Sequence, residues 1–443
     1  MRVGKPVRAL LPLVFVLTSG LQPAVALTDL PPDYPVLAPV DPVVAVDSQR
    51  LEQRIDRAWR TPALGNDKAL AVDAFSGGPA LAVGIAESTP LMPASTTKLL
   101  TATAVLETLG PEHRFTTSVT RSGNQVFLVG GGDPQLTTSV TSRSINADAS
   151  LPRLARRTAV ALQAAGVDRV RLRYDATLFD PPAEQPFWGP DFLSIGVVAP
   201  ITALSADGGR LRPPASPRSP DPPLTAAEAF AGLLGDRGID VIGEPVARVK
   251  EGDEIASVQS APLADLVEHL LLTSDNTEAE ILAHHVGLAV LDDPTFSGGA
   301  TATLQVLSDL GIDTGGITLN DGSGLARSNR ISPQTLLDIL RTAVEEDPQR
   351  LWPVYTGLPV AGFDGSLTSR FSAPSARAGR GAVTGKTGTL TGTSTLAGLT
   401  TDRDGQLLMY AVMTNDVNVF AASPAIDDVV ARIAGCRCAQ QTG

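Results

Sequence analysis

Residues 93–109 read Pro-Ala-Ser-Thr-Thr-Lys-Leu-Leu-Thr-Ala-Thr-Ala-Val-Leu-Glu-Thr-Leu, and Gly110-Pro111 follows. Leu99, Leu100, Ala102, Leu106 and Leu109 recur at helical spacing, so a helix is expected from Ser95 to about Thr108, with Gly110-Pro111 as its stop. Side chains three apart share one helix face, so the Lys98 amine can reach the Ser95 hydroxyl. The positive end of the helix dipole favours an alkoxide at that point. Ser95 and Lys98 therefore read as a nucleophile with a base beside it.

Two further stretches carry chemistry. Lys386-Thr387-Gly388-Thr389 lies on a strand expected over Val383 to Gly388, where Gly388 would let a substrate backbone approach the edge. Lys386 offers a fixed charge for a carboxylate, and Thr387 and Thr389 offer hydroxyl donors. A plain Gly/Thr-rich surface strand would read the same way. Ser274-Asp275-Asn276 forms a polar turn between an apolar helix over Leu263 to Thr273 and another over Thr277 to Leu291. These residue types also cap helices well, and both roles can coexist. Ser-x-Asn recurs at Ser122/Asn124 and Ser144/Asn146, so the context of Ser274 sets it apart.

Composition narrows the classes. The chain has 443 residues, 43% of them hydrophobic, and a net charge of −12, which fits a folded protein of more than one domain. An acidic chain does not concentrate on phosphate backbones, so nucleic acid is not an expected partner. Only five of the 35 basic residues are lysines: Lys5, Lys68, Lys98, Lys250 and Lys386. Codon bias explains why lysine is scarce, but two of the four that follow Lys5 fall in the motifs above.

Arg2, Lys5 and Arg8, the apolar run Ala9 to Leu17 and the small residues Ala24 to Ala26 read as a secretory signal over residues 1–26. The run stops short of a membrane span, although an uncleaved anchor is the alternative. Cleavage would remove three cations and no acids, taking the charge from −12 to −15. The expected location is the cell envelope, periplasm or exterior, with membrane association only if the signal is retained. Residues 27–47 are a Pro-rich tether. A first catalytic part is expected over 48–116, an inserted strand-rich module over 117–262, a second catalytic part over 263–435 and a tail over 436–443.

Residues 48–60 suit a helix, as do Pro333 to Glu346 and Ala425 to Ala434. Ala69 to Ala74, Ala80 to Ala86, Ser394 to Thr400 and Leu407 to Met413 suit strands. Within the module, Val126 to Val129, Val170 to Tyr174 and Val241 to Ile242 are strand-like, and Pro213-Pro214 through Pro222-Pro223 read as an exposed loop. Cys436 and Cys438 can bridge only each other. Neither they nor the four histidines, of which His284 and His285 point to different faces of one helix, show metal-ligand spacing. No metal or other cofactor is expected, and no stable protein partner is evident.

Ser-x-x-Lys, Ser-Asp-Asn and Lys-Thr-Gly, in this chain order, are the signature of serine β-lactamases and penicillin-binding proteins. The long gap from Ser95 to Ser274 makes the chain resemble the penicillin-binding protein 4 type D-alanyl-D-alanine carboxypeptidases, peptidase family S13. It is similar to them also at Gly130 to Pro134, Ile201 to Ser205, Asp321 to Arg327 and Gly365 to Leu367. The resemblance implies an α/β fold: a β-lactamase/transpeptidase-like domain, with an antiparallel sheet flanked by helices, interrupted by the module.

The implied chemistry is serine acyl transfer on peptidoglycan stem peptides, with β-lactam antibiotics as covalent inhibitors. In that scheme Ser95 attacks, Lys98 takes its proton, Ser274 relays a proton to the leaving amine and Asn276 binds the substrate amide. Lys386, Thr387 and Thr389 hold the terminal carboxylate beside Gly388, and the Ser95 and Thr389 N–H groups form the oxyanion hole. Trp188 and Asp191, spaced as the family's pocket for a diaminopimelate amine, and Arg327, for that residue's carboxylate, are implied more loosely. A buried Trp and a solvated Asp would fit the same spacing. The rival functions are a secreted serine β-lactamase, for which no Glu-bearing omega-type motif is evident, and a non-catalytic β-lactam- or peptidoglycan-binding envelope protein.

Overall fold

The computed structural model describes residues 45–75, 81–139, 149–213, 215–345 and 348–440. The expected signal, most of the tether, a turn expected at Gly77-Gly78 between the first two strands, and Ser144/Asn146 lie outside them. The first part of the chain contributes α1 (Ser48–Trp59), β1 (Asp67–Ala74), β2 (Val83–Ile85) and α2 (Lys98–Leu109). The middle contributes β3 (Thr116–Ser122), β4 (Gln125–Val129), α3 (Leu151–Ala164), β5 (Arg169–Asp175), β6 (Arg210–Arg212), β7 (Ala215–Arg218), α4 (Pro222–Gly235), β8 (Asp240–Val241), β9 (Val246–Ala247) and β10 (Asp253–Gln259). The last part contributes α5 (Leu263–Thr273), α6 (Asn276–Leu291), α7 (Phe296–Asp309), α8 (Pro333–Glu345), single turns α9 (Pro348–Leu351) and α10 (Pro353–Thr356), β11 (Val383–Leu390), β12 (Thr393–Thr401), β13 (Leu407–Asn415) and α11 (Val419–Ala434).

The first and last parts build one antiparallel sheet in the order β11-β12-β13-β1-β2. Alternation along its strands sends side chains to opposite faces. Ala71, Ala397, Met409, Ala411 and Met413 pack with α2, α5, α6 and α8, while Leu70, Val72, Leu396, Leu408 and Val412 pack with α1 and α11. Both faces are covered, which explains why the strands read as nearly continuous apolar runs. β11, which carries Lys386, is an edge strand of this sheet, and Val360 bridges its outer side at Thr384. Cys436 and Cys438 are bridged to each other beneath α11.

The middle part builds a second sheet, β10-β3-β4-β5-β8, with β9 also pairing β5. β4, β5 and β8 run parallel, so the chain needs crossovers, which α3 and α4 supply. The module is strand-rich as expected, with the eight strands β3 to β10 among the described residues, and the correction is confined to α3 and α4, helices that the sequence reading did not assign. Leu151, Leu154, Ala155, Thr158, Ala159 and Leu162 recur at helical spacing on α3, with Ser150 as the cap. The Pro-rich stretch is also corrected: Pro222 and Pro223 are buried and open α4, with Asp221 capping the Leu224 N–H. Proline suits a first turn because no N–H is needed there.

Phe179, Trp188, Val198, Ile201 and Ala203 leave the second sheet and pack against Ile281, Phe296, Leu325 and Ala326. That excursion brings the middle part of the chain to the back of the site.

Candidate active site

Ser95 sits in a short 3-10 turn, Ala94–Thr97, that runs straight into α2. Ala94 has φ +49°, a left-handed conformation that a non-glycine residue keeps only where its surroundings over-determine it. The surroundings do so. Thr395 Oγ1 donates to the Pro93 carbonyl at 2.8 Å, and Gly324 presses so closely on the Ala94 carbonyl that any Cβ there would overlap it.

Lys98 is fully buried, and its amine has three acceptors: Ser95 Oγ at 3.0 Å, Asn276 Oδ1 at 2.8 Å and the Ser323 carbonyl at 2.7 Å. Burial lowers its pKa to about 8, and Glu280, Asp321 and Asp275 limit the fall. At pH 7 roughly one molecule in ten then carries the neutral amine. In that form two hydrogens can serve Asn276 and Ser323, leaving the lone pair for the Ser95 hydroxyl proton.

Ser274 caps α5 with φ +60° and ψ +35°, and its Oγ accepts from Lys386 Nζ at 2.7 Å. Lys386 also donates to the Thr387 carbonyl at 3.0 Å. Burial, with Lys98 nearby, holds its amine well below the usual lysine range. Asp275 caps α6 by accepting from the Glu278 N–H at 3.2 Å, so the capping reading of this turn applies to Asp275.

Gly388 has a reason other than the one read from sequence. A Cβ there would overlap Thr395 Oγ1 and lie 2.5 Å from the Pro93 carbonyl and 3.1 Å from the Ser95 nitrogen. The glycine lets β11 lie against the chain's own nucleophile turn. Thr387 Oγ1 donates to Ser366 Oγ at 2.7 Å, and Thr389 is exposed at the far end of the strand.

The structure thus brings Ser95, Lys98 and Asn276 into one hydrogen-bonded group, and Ser274 and Lys386 into another, with the two lysines close enough to affect each other. It does not bond Trp188, Asp191 or Arg327 to either group. Trp188 is buried, its indole N–H donating to Asp321 Oδ2 at 2.9 Å and its ring edge-on to Phe296. Asp191 is exposed. Arg327 Nη2 donates to the Thr391 carbonyl at 2.8 Å, in the turn that ends β11.

Sequence reasoning missed Glu280. Its two carboxylate oxygens accept the Gly322 and Ser323 N–H groups at 2.9 and 2.8 Å, fixing the loop whose Ser323 carbonyl receives Lys98. Asp321 holds the same loop through Gly324 N, Ala326 N and Asn329 Nδ2. The available signal was a Glu four residues beyond Asn276, hence on the same face of α6.

The model of the D-Ala-D-Ala carboxypeptidase 3 (S13) family matches residues 51–220 and 212–435. The chain belongs to this family. With membership comes its class, a serine-type D-Ala-D-Ala carboxypeptidase. The chain is 34% identical over 413 residues to the carboxypeptidase DacB of Mycolicibacterium smegmatis, covering 91% of this chain and 88% of that one. It is 29% identical over 430 residues to a D-alanyl-D-alanine carboxypeptidase of an Actinomadura species, covering 77% and 76%. Among solved structures it is similar to penicillin binding protein 4 of Haemophilus influenzae, with a TM-score of 0.70 at 21% identity, over 87% of this chain and 98% of that one. The S13 fold expected from the motif order is therefore the one observed.

Proposed function

We propose that this S13 member cleaves the terminal D-Ala-D-Ala bond of peptidoglycan stem peptides, with Ser95 as nucleophile and neutral Lys98 as its base. The observation that carries the reading is the triple coordination of the buried Lys98 amine by Ser95, Asn276 and the Ser323 carbonyl. Ser95 Oγ adds to the carbonyl while its proton passes to Lys98. Collapse then breaks the C–N bond: Ser274 hands its proton to the departing amine nitrogen and takes one in turn from Lys98, which returns to the neutral form. Water, deprotonated by Lys98, later cleaves the ester and regenerates Ser95.

Lys386, with Thr387 and Thr389, receives the substrate's terminal carboxylate. An arriving anion would restore the charge that burial disfavours on Lys386. The Ser95 and Thr389 N–H groups form the oxyanion hole, with Gly388 holding the strand against the nucleophile turn. Asp191 and Arg327, both exposed, meet the amine and the carboxylate of the stem-peptide side chain, Arg327 at the end of β11, whereas Trp188 is buried against Phe296 and takes no direct part. Penicillins acylate Ser95 covalently. The domain boundaries read from sequence, secretion through residues 1–26 and action at the cell wall complete the proposal.

Incubation with a purified pentapeptide stem and with cross-linked muropeptides tests it: mass detection should find D-alanine released from the pentapeptide. Its absence, or covalent penicillin labelling that persists in Ser95→Ala, overturns the reading. The cross-linked substrate separates carboxypeptidase from endopeptidase action. A predatory peptidoglycan endopeptidase of Bdellovibrio bacteriovorus shares the fold, with a TM-score of 0.54 at 17% identity. The β-lactamase alternative needs a carboxylate free to activate water, whereas Glu280 spends both oxygens on backbone N–H groups. Rapid, sustained turnover of a chromogenic cephalosporin would revive it.

A further inference from the structure

The three residues that follow Ser274 are all held by the inserted module. Arg210 Nη2 donates to Asp275 Oδ2 at 2.9 Å, and Arg218 Nη2 stands 3.9 Å from the same oxygen. Asn276 Nδ2 donates to the Val197 carbonyl at 3.0 Å, and Thr277 Oγ1 accepts from the Ala199 N–H at 3.1 Å. Arg210 and Arg218 face each other across the β6–β7 hairpin, so one small ribbon delivers both guanidinium groups. Each is braced. Arg210 Nη1 donates to the Asp207 carbonyl at 3.2 Å, and Arg218 donates to the Gly196 and Gly208 carbonyls.

Asp275 is largely shielded from solvent, with its side chain 11% exposed. Burial alone would raise its carboxyl, but Arg218 and Arg210 outweigh that effect and hold it below the usual carboxylate range. A buried carboxylate without those partners would be costly, so the turn is stable as drawn only with the ribbon in place. The same turn keeps Ser274 in the left-handed region, where a serine does not rest without support.

We propose that Arg210 is a positioning residue for the proton delivered to the leaving group. By anchoring Asp275 it fixes the backbone that aims the Ser274 hydroxyl, and so couples the inserted module to the reaction. Arg210 bonds neither Ser95 nor Lys98 nor Lys386. The inference rests on the proposed role of Ser274 as the relay to the departing nitrogen.

That role gives it a chemical signature. When the acyl carbon–nitrogen bond of a peptide breaks, the amine nitrogen must gain a proton. When the carbon–sulfur bond of a thiolester breaks, a stable thiolate leaves without one. Misplacing Ser274 therefore slows acylation by the peptide more than acylation by a thiolester with the same acyl portion.

The test measures acylation rates of the full chain with an acyl-D-alanyl-D-alanine peptide and the matching D-alanyl thiolester, for wild type, Arg210→Gln, Arg210→Lys and Ser274→Ala. Arg210→Gln should lower kcat for the peptide about tenfold while KM for the peptide and kcat for the thiolester stay within about threefold. Arg210→Lys keeps the charge but not the fork, and should move the peptide-to-thiolester ratio about two- to threefold in the same direction. It carries the comparison alone if the Gln variant does not fold. An equal fall on both substrates, or no change in the ratio for either Arg210 variant, overturns the inference. If Ser274→Ala itself lowers both substrates equally, the relay reading fails and takes this inference with it. If Ser274→Ala separates the substrates and the Arg210 variants do not, this inference alone fails.

Discussion

Lys98 and Lys386 are both fully buried, both bonded to a serine hydroxyl and both depressed in pKa, yet their surroundings differ. Lys98 has Glu280, Asp321 and Asp275 within electrostatic reach, and these keep its amine at about 8. Lys386 has Lys98 as its charged neighbour, which adds to the effect of burial and holds its amine well below its ordinary value. The difference separates two tasks. A base must exchange its proton near neutral pH, whereas an anion receptor need only become charged when the anion arrives. Desolvation acts alike on both, and the nearby carboxylates tell them apart.

The largest effect that could break this comparison comes from arginine at each position. Lys98→Arg places a permanent cation where a base is needed, and covalent labelling by a fluorescent penicillin should fall at least a thousandfold. Lys386→Arg keeps the charge, and peptide turnover should fall only about tenfold, mainly through KM. Equal losses at the two sites would erase the distinction.

Gly388→Ala comes next, because it drives β11 away from the nucleophile turn that both lysines border. Stopped-flow acylation should slow roughly a hundredfold, by displacing the oxyanion donors rather than either amine. A rate within threefold of wild type would mean the strand gives way without consequence.

The pH dependence is smaller and sharper. Only neutral Lys98 can accept the Ser95 proton, so the acylation rate should climb as pH rises toward about 8 and level off above it. Lys386→Arg sets a permanent cation beside Lys98 and should move that limb to lower pH without abolishing it, whereas loss of the limb in this variant would reassign the base.

The smallest effect is on stability. Lys98→Met removes a buried ammonium, and calorimetry should find Tm raised by about 2–4 °C near pH 7 together with loss of activity. The folded state binds this proton less tightly than the unfolded chain does, because burial depresses the folded pKa. Wild type therefore gains relative stability as pH climbs above about 8, and the advantage of the Met variant should shrink there.

Much of the frame was legible in sequence because it is written in local periodicity. α1, α2, α5, α6, α8 and the strands β11 to β13 fall within a few residues of the expected ranges, since their apolar residues recur at spacings that one helix face or one strand dictates, while α11 ends as expected but begins at Val419 rather than Ala425. α4 escaped because the prolines in its first turn read as loop signals when they were a helix start, and α3, which Pro152 opens in the same way, was passed over. α7 was passed over as well, its Gly299 sitting against Ala283 of α6 and its Gly298 against Asp293, where a larger side chain would collide.

The site divides along the same line. Sequence alone determined that Lys98 reaches Ser95, because three residues along a helix start bring the two side chains to one face whatever the rest of the chain does. It also determined the order of the three motifs and hence the family. Tertiary structure decided the rest of the Lys98 environment, since Asn276 and Ser323 lie 178 and 225 residues away and arrive through the packing of α6 and its loop against α2. It alone decided that Arg210 meets Asp275 and that Gly388 meets the nucleophile turn. Periodicity along a chain says which residues face inward. Burial, charge proximity and close approach arise only between elements once packed, and those set the proton affinities on which the chemistry depends.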